Sequence, residues 1–87
     1  MRTIYKYPLQ FSESNVVAMP KGSRLLHFAI QDGVPCVWAD VVTGNPPEER
    51  HLAIHGTGHP VSSLSRHVGS VQDGAFVWHL YDKDGLP

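Results

Sequence analysis

The stretches "IQDGVPCVW" (residues 30–38) and "VQDGAFVWH" (residues 71–79) decide the fold, because each places a turn signal between two strand-like segments. Asp-Gly is a preferred pair for the two-residue type I′ turn, in which both central residues take positive φ. The flanking residues are rich in Val, Phe and Trp, which favours strands. The sequence therefore predicts two β-hairpins, with tips at Asp32–Gly33 and Asp73–Gly74.

A two-residue turn also determines which residues face each other across a hairpin. In the first hairpin it predicts Phe28 opposite Val37 and Leu26 opposite Ala39, with all four facing the core. The other side is mixed and aromatic, and it carries Leu25, His27, Gln31, Cys36, Trp38 and Asp40.

The second hairpin yields its own register by the same count. It predicts Val71 opposite Phe76, and it predicts Gly69 opposite Trp78, where the glycine leaves room for the indole ring. His67 is predicted opposite Leu80. The core side then carries Val71, Phe76, Trp78 and Leu80, and the other side carries Val68, Val77, His79 and Tyr81.

The rest of the chain is divided in the same way, by eight glycines and seven prolines. No segment keeps a helical period, and many segments alternate between apolar and polar residues. We therefore expect one all-β domain over residues 1–87, a small antiparallel sandwich or partly open barrel of six to seven short strands. The predicted strands are 2–8, 15–19, 24–31, 34–42, 50–55, 66–72 and 75–82.

Size and cysteine content together favour an oligomer. A domain of 87 residues has a small core, and such domains commonly gain stability from disulfides, metals or association. Cys36 is the single cysteine, so no internal disulfide can form. We expect a homo-oligomer, a dimer or higher, in the reducing environment of the cytoplasm.

The charge balance excludes one class of partner. The chain has 7 Lys and Arg against 8 Asp and Glu, for a net charge of −1, whereas dedicated duplex-binding proteins usually present a strongly basic face. No apolar run approaches the 18 or so residues of a membrane span, and residues 1–6 lack an apolar signal core. We expect a soluble protein with no membrane partner.

The loop "HGTGHP", residues 55–60, is the predicted ligand site. Gly56 and Gly58 allow neighbouring backbone N–H groups to converge on an anion. Thr57 adds a hydroxyl, His59 adds a donor that becomes positively charged at mildly acidic pH, and Pro60 stiffens the exit. We expect a basic residue such as Arg24, Arg50 or Arg66 nearby. The alternative is a tight corner between strands that uses glycine only for its backbone freedom.

Metal binding is not expected from the histidine spacing. Consecutive residues of a strand advance by about 3.3 Å, so His51 and His55 would lie about 13 Å apart and could not chelate one ion. Histidines four residues apart would share one face of a helix, but Gly56, Gly58 and Pro60 exclude a helix in this segment. No metal and no other cofactor is therefore predicted.

No catalytic residue is predicted either. Cys36 and His27 lie diagonally across the first hairpin, but a rigid hairpin centre offers no helix N-terminus to activate a thiol. His27, Cys36 and Trp38 instead form an aromatic face that must be covered by a second sheet, another subunit or a ligand.

Three motifs in order, "TIYKYPL" (3–9), "GVPCVWA" (33–39) and "GTGHPV" (56–61), resemble a family of small proteins encoded by tailed bacteriophages and prophages. The resemblance covers nearly the whole chain and carries no known catalytic residues. At position 55 the family pattern implies an aromatic residue such as Tyr, where this chain has His. The resemblance implies a role inside the infected host cell.

We therefore expect a non-enzymatic phage accessory protein that binds and neutralises a host factor. That factor is either a protein effector of host defence or a small nucleotide-like signalling ligand. The alternatives are a structural component of the virion or its assembly, and a small Cys/His hydrolase.

Overall fold

The described part of the chain forms seven antiparallel strands, as the alternation predicts. A computed structural model describes residues 1–85. The strands are β1 (Arg2–Pro8), β2 (Asn15–Pro20), β3 (Arg24–Gln31), β4 (Val34–Val42), β5 (Pro47–Gly56), β6 (Arg66–Asp73) and β7 (Phe76–Asp82). The described residues include no helix with the length and apolar character needed to cross a lipid bilayer.

The strands form two sheets that pack face to face. One sheet has three strands in the order β1-β4-β3, and the other has four in the order β2-β5-β7-β6. Neither sheet closes on itself, so of the two predicted architectures the sandwich is the one observed. The first sheet contacts the second chiefly where β3 lies over β6.

The core lies between the two sheets because alternate side chains of each strand point inwards. Its buried members are Leu9, Met19, Phe28, Val37, Ala39, Val41, Leu52, Ile54 and Leu80.

The tip of the first hairpin is confirmed. Asp32 has a φ of 51° and Gly33 has a φ of 78°, the positive pair that a type I′ turn requires. Phe28 lies opposite Val37, and both are buried in the core as predicted.

One predicted pair of this hairpin is wrong, because a β-bulge interrupts β3 between Leu25 and His27. Leu25, not Leu26, lies opposite Ala39 and packs against the core. Leu26 is exposed instead. A bulge adds one unpaired residue to a strand, so all residues beyond it change sides, and nothing in a two-residue turn signals it.

The predicted tip of the second hairpin is wrong by one residue. The loop residues are Gly74 and Ala75, and Asp73 still belongs to β6. Only Gly74 has positive φ, at 58°, which is the pattern of a type II′ turn with glycine in first position. Val71 therefore lies opposite Trp78, and Phe76 is exposed rather than buried.

Gly69 leaves room for Phe28 and not, as predicted, for Trp78. It lies opposite Leu80, and a Cβ atom at this position would stand 3.3 Å from the Cβ atom of Phe28 in the facing sheet. The glycine therefore allows the two sheets to approach closely. A second bulge, between His67 and Gly69, places His67 opposite Tyr81 instead of Leu80.

Strand β5 begins at Pro47, three residues before the predicted start at 50. A proline is tolerated there because it is the first residue of the strand. Pro47 pairs with Pro20 of β2, and β7 pairs with β5 only from Leu52 onwards.

Arg50 and Asp82 form an ion pair inside the sandwich, with side chains 1% and 0% exposed. One terminal nitrogen of Arg50 donates to Asp82 Oδ2 at 2.7 Å, and the other donates to the carbonyl oxygen of Ser23 at 2.7 Å. The pair thus ties β5, the end of β7 and the β2–β3 turn together. Losing one partner would leave a buried charge without compensation.

We predict that Asp82→Asn lowers the free energy of unfolding by about 3–5 kcal/mol, because Arg50 is then buried without a counter-charge. That is a large share of the roughly 5–15 kcal/mol that holds a typical domain folded. Chemical denaturation measures it. The matched control is Asp40→Asn, which breaks a surface ion pair with Arg2 and should leave the unfolding midpoint almost unchanged. Equal effects of the two substitutions would contradict the prediction.

Candidate functional site

Histidines gather on the outer face of the four-stranded sheet. His55 of β5 lies opposite His79 of β7, which in turn lies opposite Ser70 of β6. Two residues further along β7, on the same face, Tyr81 lies opposite His67. These five residues form the histidine face. Three of the six histidines of the chain therefore meet on three neighbouring strands.

A chain of hydrogen bonds runs across this face. Thr57 Oγ1 lies 2.9 Å from His79 Nε2, and Ser70 Oγ lies 2.7 Å from His79 Nδ1. Ser70 Oγ also lies 2.9 Å from His67 Nε2. A hydroxyl can both donate and accept, so these bonds suit either tautomer of His79. The network holds the imidazole rings in position at the surface.

Tyr81 packs between two histidine rings of the same face. Its ring centroid lies 5.7 Å from that of His55 and 5.3 Å from that of His67, with both contacts close to edge-on. Aromatic pairs favour this geometry. These two ring contacts hold His55 and His67 at a fixed spacing about Tyr81.

The loop that the sequence singled out begins at one end of the histidine face. The N–H of His59 donates to the carbonyl oxygen of Gly56 at 3.1 Å, and Gly58 has a φ of 93°, so the loop turns where a glycine is needed. The N–H of Gly56 donates to His59 Nδ1 at 3.1 Å. Two backbone donors of the predicted anion site are thus used within the loop, which supports the corner interpretation for its first turn.

The loop nevertheless borders a cavity of about 190 Å³, which we call the loop cavity. The loop cavity is lined by His55, Gly56, Thr57, Gly58, His59, Val61, His79 and Tyr81. The last residue of the predicted site, Pro60, lines a neighbouring cavity of about 130 Å³ instead.

No arginine or lysine of the described chain lines the loop cavity. The expectation that Arg50 serves this loop is wrong, because its guanidinium group is buried in the core. Arg24 lies opposite Asp40 in the other sheet, and Arg66 lies opposite Asp82 at the start of β6. Positive charge at the cavity would therefore have to come from its histidines.

Glu13, His55 and His59 come together beside the loop cavity. His55 Nδ1 lies 3.3 Å from Glu13 Oε1, and the ligand-type atoms of all three side chains lie within 4.8 Å of one another. The sequence argument considered only the spacing of the histidines along one segment. It could not foresee that a turn brings His59 back to His55, or that the β1–β2 loop brings Glu13.

His51 does not join this group. Its backbone N–H donates to Asp84 Oδ2 at 3.0 Å, and its ring Nδ1 lies 3.2 Å from Asp84 Oδ1. These bonds, the backbone bond first, hold the pKa of the Asp84 carboxyl below its usual value despite partial burial. The partner of His51 is therefore Asp84 and not Glu13.

His27, Cys36 and Trp38 lie on the outer face of the three-stranded sheet, which we call the Trp38 face. The rings of His27 and Trp38 lie 5.5 Å apart. Cys36 is buried, and its Sγ lies 3.5 Å from the carbonyl oxygen of Val34. The second sheet covers the opposite face, so it is not what covers Trp38.

An aromatic cluster that the sequence did not single out lies by the tip of the second hairpin. The ring of Trp78 stacks on that of Phe76 with the centroids 5.6 Å apart, and the ring centroid of Phe11, in the β1–β2 loop, lies 5.1 Å from that of Trp78. Phe76 is 62% exposed and Phe11 is 45% exposed. Trp78 Nε1 is buried and has no hydrogen-bond partner.

A domain of unknown function, DUF7352, matches residues 1–86. The chain belongs to the DUF7352 family. The match includes all seven strands, so the histidine face, the Trp38 face and the aromatic cluster all lie within the family domain. No curated protein matches the chain, and no solved structure matches it.

The residues that sequence reasoning missed in this DUF7352 domain are Glu13, His67, His79 and Tyr81. The alternation of β7 did place His79 and Tyr81 together on an outer face. No local signal, however, indicated that β5 pairs with β7 or that His55 would face His79, since the two strands are not consecutive.

We predict that His59→Ala costs this DUF7352 domain about 1 kcal/mol of stability, because Gly56 loses its side-chain acceptor. The melting temperature should fall by roughly 4–8 °C, as expected for a domain of this size. Differential scanning calorimetry measures it, with His27→Ala on the opposite sheet as the control. An unchanged melting temperature would show that the His59 ring does not stabilise the turn.

Proposed function

We propose that the chain is a non-enzymatic accessory protein of a tailed bacteriophage or prophage, which binds and neutralises a host protein in the host cytoplasm. The phage setting rests on the resemblance of residues 3–9, 33–39 and 56–61 to phage-encoded proteins. The binding role is carried by the exposed aromatic cluster of Phe11, Phe76 and Trp78.

Water is an unfavourable environment for the cluster. Phe76 and Phe11, which both contact Trp78, expose much of their apolar surface, and burial of such surface contributes about 25 cal/mol per Å². Aromatic residues packed together at a surface are the usual anchors of protein interfaces. A partner that covers the cluster would bury both phenyl rings.

The indole group connects the cluster to the core. Trp78 packs against the core between the sheets, and its Nε1 atom is buried without an acceptor. The exposed part of the cluster is therefore its two phenyl rings, so the cluster suits a partner that presents an apolar patch.

The charge balance supports a protein target rather than duplex nucleic acid. Seven basic residues face eight acidic ones, and Arg50 is buried in the core. Phosphate-backbone binding depends on several exposed cations acting together.

A small nucleotide-like ligand in the loop cavity is the second candidate. The cavity of about 190 Å³, with Thr57, His59 and His79 at its wall, has room for a phosphate or carboxylate group. It is smaller than the roughly 300–1,000 Å³ of common ligand sites, so most of a nucleotide would have to lie outside it or against a second subunit.

We predict that Phe76→Ala weakens binding of the host target at least about 20-fold, as truncation of an interface anchor does. The immobilised protein is exposed to lysate from infected cells, and captured host proteins are quantified against the wild type. The dissociation constant is then measured with the purified target. Leu64→Ala, which truncates another exposed apolar side chain in the β5–β6 loop, is the matched control and should bind normally.

Three results would contradict this function. Equal capture by wild-type protein and Phe76→Ala would remove the aromatic cluster from the interface. Release of a bound small molecule on heating, with no host protein captured, would favour the second candidate. Presence of the chain in purified virions would favour a structural role.

We further propose that the protein forms a homodimer through the Trp38 face, since twofold dimers are the commonest soluble assembly. Ile4 is 60% exposed on this face and lies diagonal to Trp38. The face lies outside the core, and a small domain without disulfides gains stability when such a face is covered. Association would bury Ile4 and the indole group together.

We predict that Ile4→Glu converts this dimer to a monomer, because it places a charge in the buried interface. Light scattering at micromolar concentration measures the mass, which is 9.6 kDa for one chain. Val16→Glu is the matched control, since Val16 is 58% exposed on the outer face of the other sheet. A wild-type protein that is monomeric, or a Val16→Glu variant that dissociates equally, would contradict the proposal.

A further inference from the structure

Three metal-binding side chains from separate segments converge at one point on the surface. Glu13 belongs to the β1–β2 loop, His55 to β5 and His59 to the β5–β6 loop. Their ligand-type atoms lie within 4.8 Å of one another. Metal sites in proteins are built in this way, from few side chains that only the fold brings together.

His55 provides an independent reason to expect a ligand here. Its side chain is only 7% exposed, and its Nδ1 atom is buried with no hydrogen-bond partner. Leaving such an atom unpaired is costly. Glu13 Oε1 lies 3.3 Å away, but its position does not satisfy hydrogen-bond geometry. The nitrogen therefore lies beside a carboxylate oxygen without a hydrogen bond to it.

The 3.3 Å separation fits two ligands of one ion. Two donor atoms held 2.0–2.1 Å from a tetrahedral zinc ion lie about 3.3–3.4 Å apart. The ligand-type atoms lie within 4.8 Å of one another, so His59 has to move closer by up to about 1.5 Å, which its place in an exposed loop allows. Glu13 is 61% exposed and can adjust its side chain in the same way.

We propose that Glu13, His55 and His59 bind a divalent transition-metal ion, with zinc as the preferred ion. Two imidazole nitrogens and one carboxylate oxygen form a ligand set that zinc accepts, and three protein ligands leave a fourth position open. The proposal goes beyond the binding of a host protein and does not depend on it.

The site would also act as a clamp. It joins the β1–β2 loop to β5 and to the β5–β6 loop, in a small domain whose single cysteine excludes an internal disulfide. Metal binding is one of the ways in which domains of this size gain stability. Lys83 donates to the carbonyl oxygen of Glu13 at 3.2 Å, so one positive charge close to the site opposes metal binding.

Binding must change one hydrogen bond that the structure contains. His59 Nδ1 accepts the N–H of Gly56, so in the neutral ring the proton is on Nε2. A metal ion takes an unprotonated nitrogen, and the other nitrogen then carries the proton. Whichever nitrogen of His59 binds, the bond from Gly56 is lost. The amide signal of Gly56 therefore reports metal binding at this ring.

The test uses the full-length protein after removal of metals with a chelator. Zinc chloride is titrated by calorimetry, and the melting temperature is followed by calorimetric scanning. We expect one zinc ion per chain and a rise in melting temperature of about 11–22 °C when free zinc exceeds the dissociation constant 100-fold. Cobalt should give the visible absorption of a tetrahedral site, and the Gly56 amide signal should shift in NMR spectra.

Variants assign the ligands. Glu13→Gln and His59→Ala should each weaken zinc binding at least tenfold, and both replace side chains outside the core. His55→Ala should abolish binding, but its buried position makes it the less decisive variant. The control is His27→Ala on the opposite sheet, which should bind zinc as the wild type does.

Two outcomes would overturn the proposal. In one, the wild-type protein binds no zinc, and Glu13 and His55 are simply a polar contact. In the other, zinc binding survives Glu13→Gln and His59→Ala but is abolished by His79→Asn, which would place the ion among other histidines of the histidine face. If zinc binds at the proposed ligands but Phe76→Ala still captures the target normally, the aromatic interface is refuted and the metal site is not.

Discussion

The buried ion pair between Arg50 and Asp82 is the contact on which the rest of the structure depends. Neither charge can lie in the core unless the other is beside it, so the end of β7 has to meet β5 at one register. That register sets Leu52 opposite Asp82 and, three residues further along β5, His55 opposite His79. The arrangement of the histidine face is thus a consequence of a charge pair on the other side of the same sheet.

The sandwich leaves two outer faces and one hairpin tip that differ in chemistry. The histidine face is polar and hydrogen-bonded, the Trp38 face is mixed, and the aromatic cluster is apolar with one unpaired donor. The proposed metal ligands, the Trp38 face and the aromatic cluster share no residue, so the proposed metal binding, self-association and binding of a host protein would not compete for the same side chains. A domain of 87 residues would in this way hold several contacts on one small core.

Much of the fold could be predicted, because turn chemistry and alternation are local signals. The strands and the tip at Asp32–Gly33 follow from them. The second hairpin shows what these local signals cannot determine. Moving the partner of Val71 from Phe76 to Trp78 is a shift of two residues, which leaves every side chain on its original face. The alternation is therefore the same in both registers, and it cannot choose between type I′ and type II′ turns.

The sequence by itself determined the strands, the side of most residues and the glycine positions at which the chain turns, since these depend on neighbours along the chain. Only the tertiary structure decided which strands that are not consecutive pair, and hence that His55 meets His79. It also brought Glu13 to His55 across more than forty residues and left Phe76 exposed at the tip of the second hairpin. The physical reason is that such contacts come from burying charge and apolar area between distant segments. No pattern within one segment encodes them.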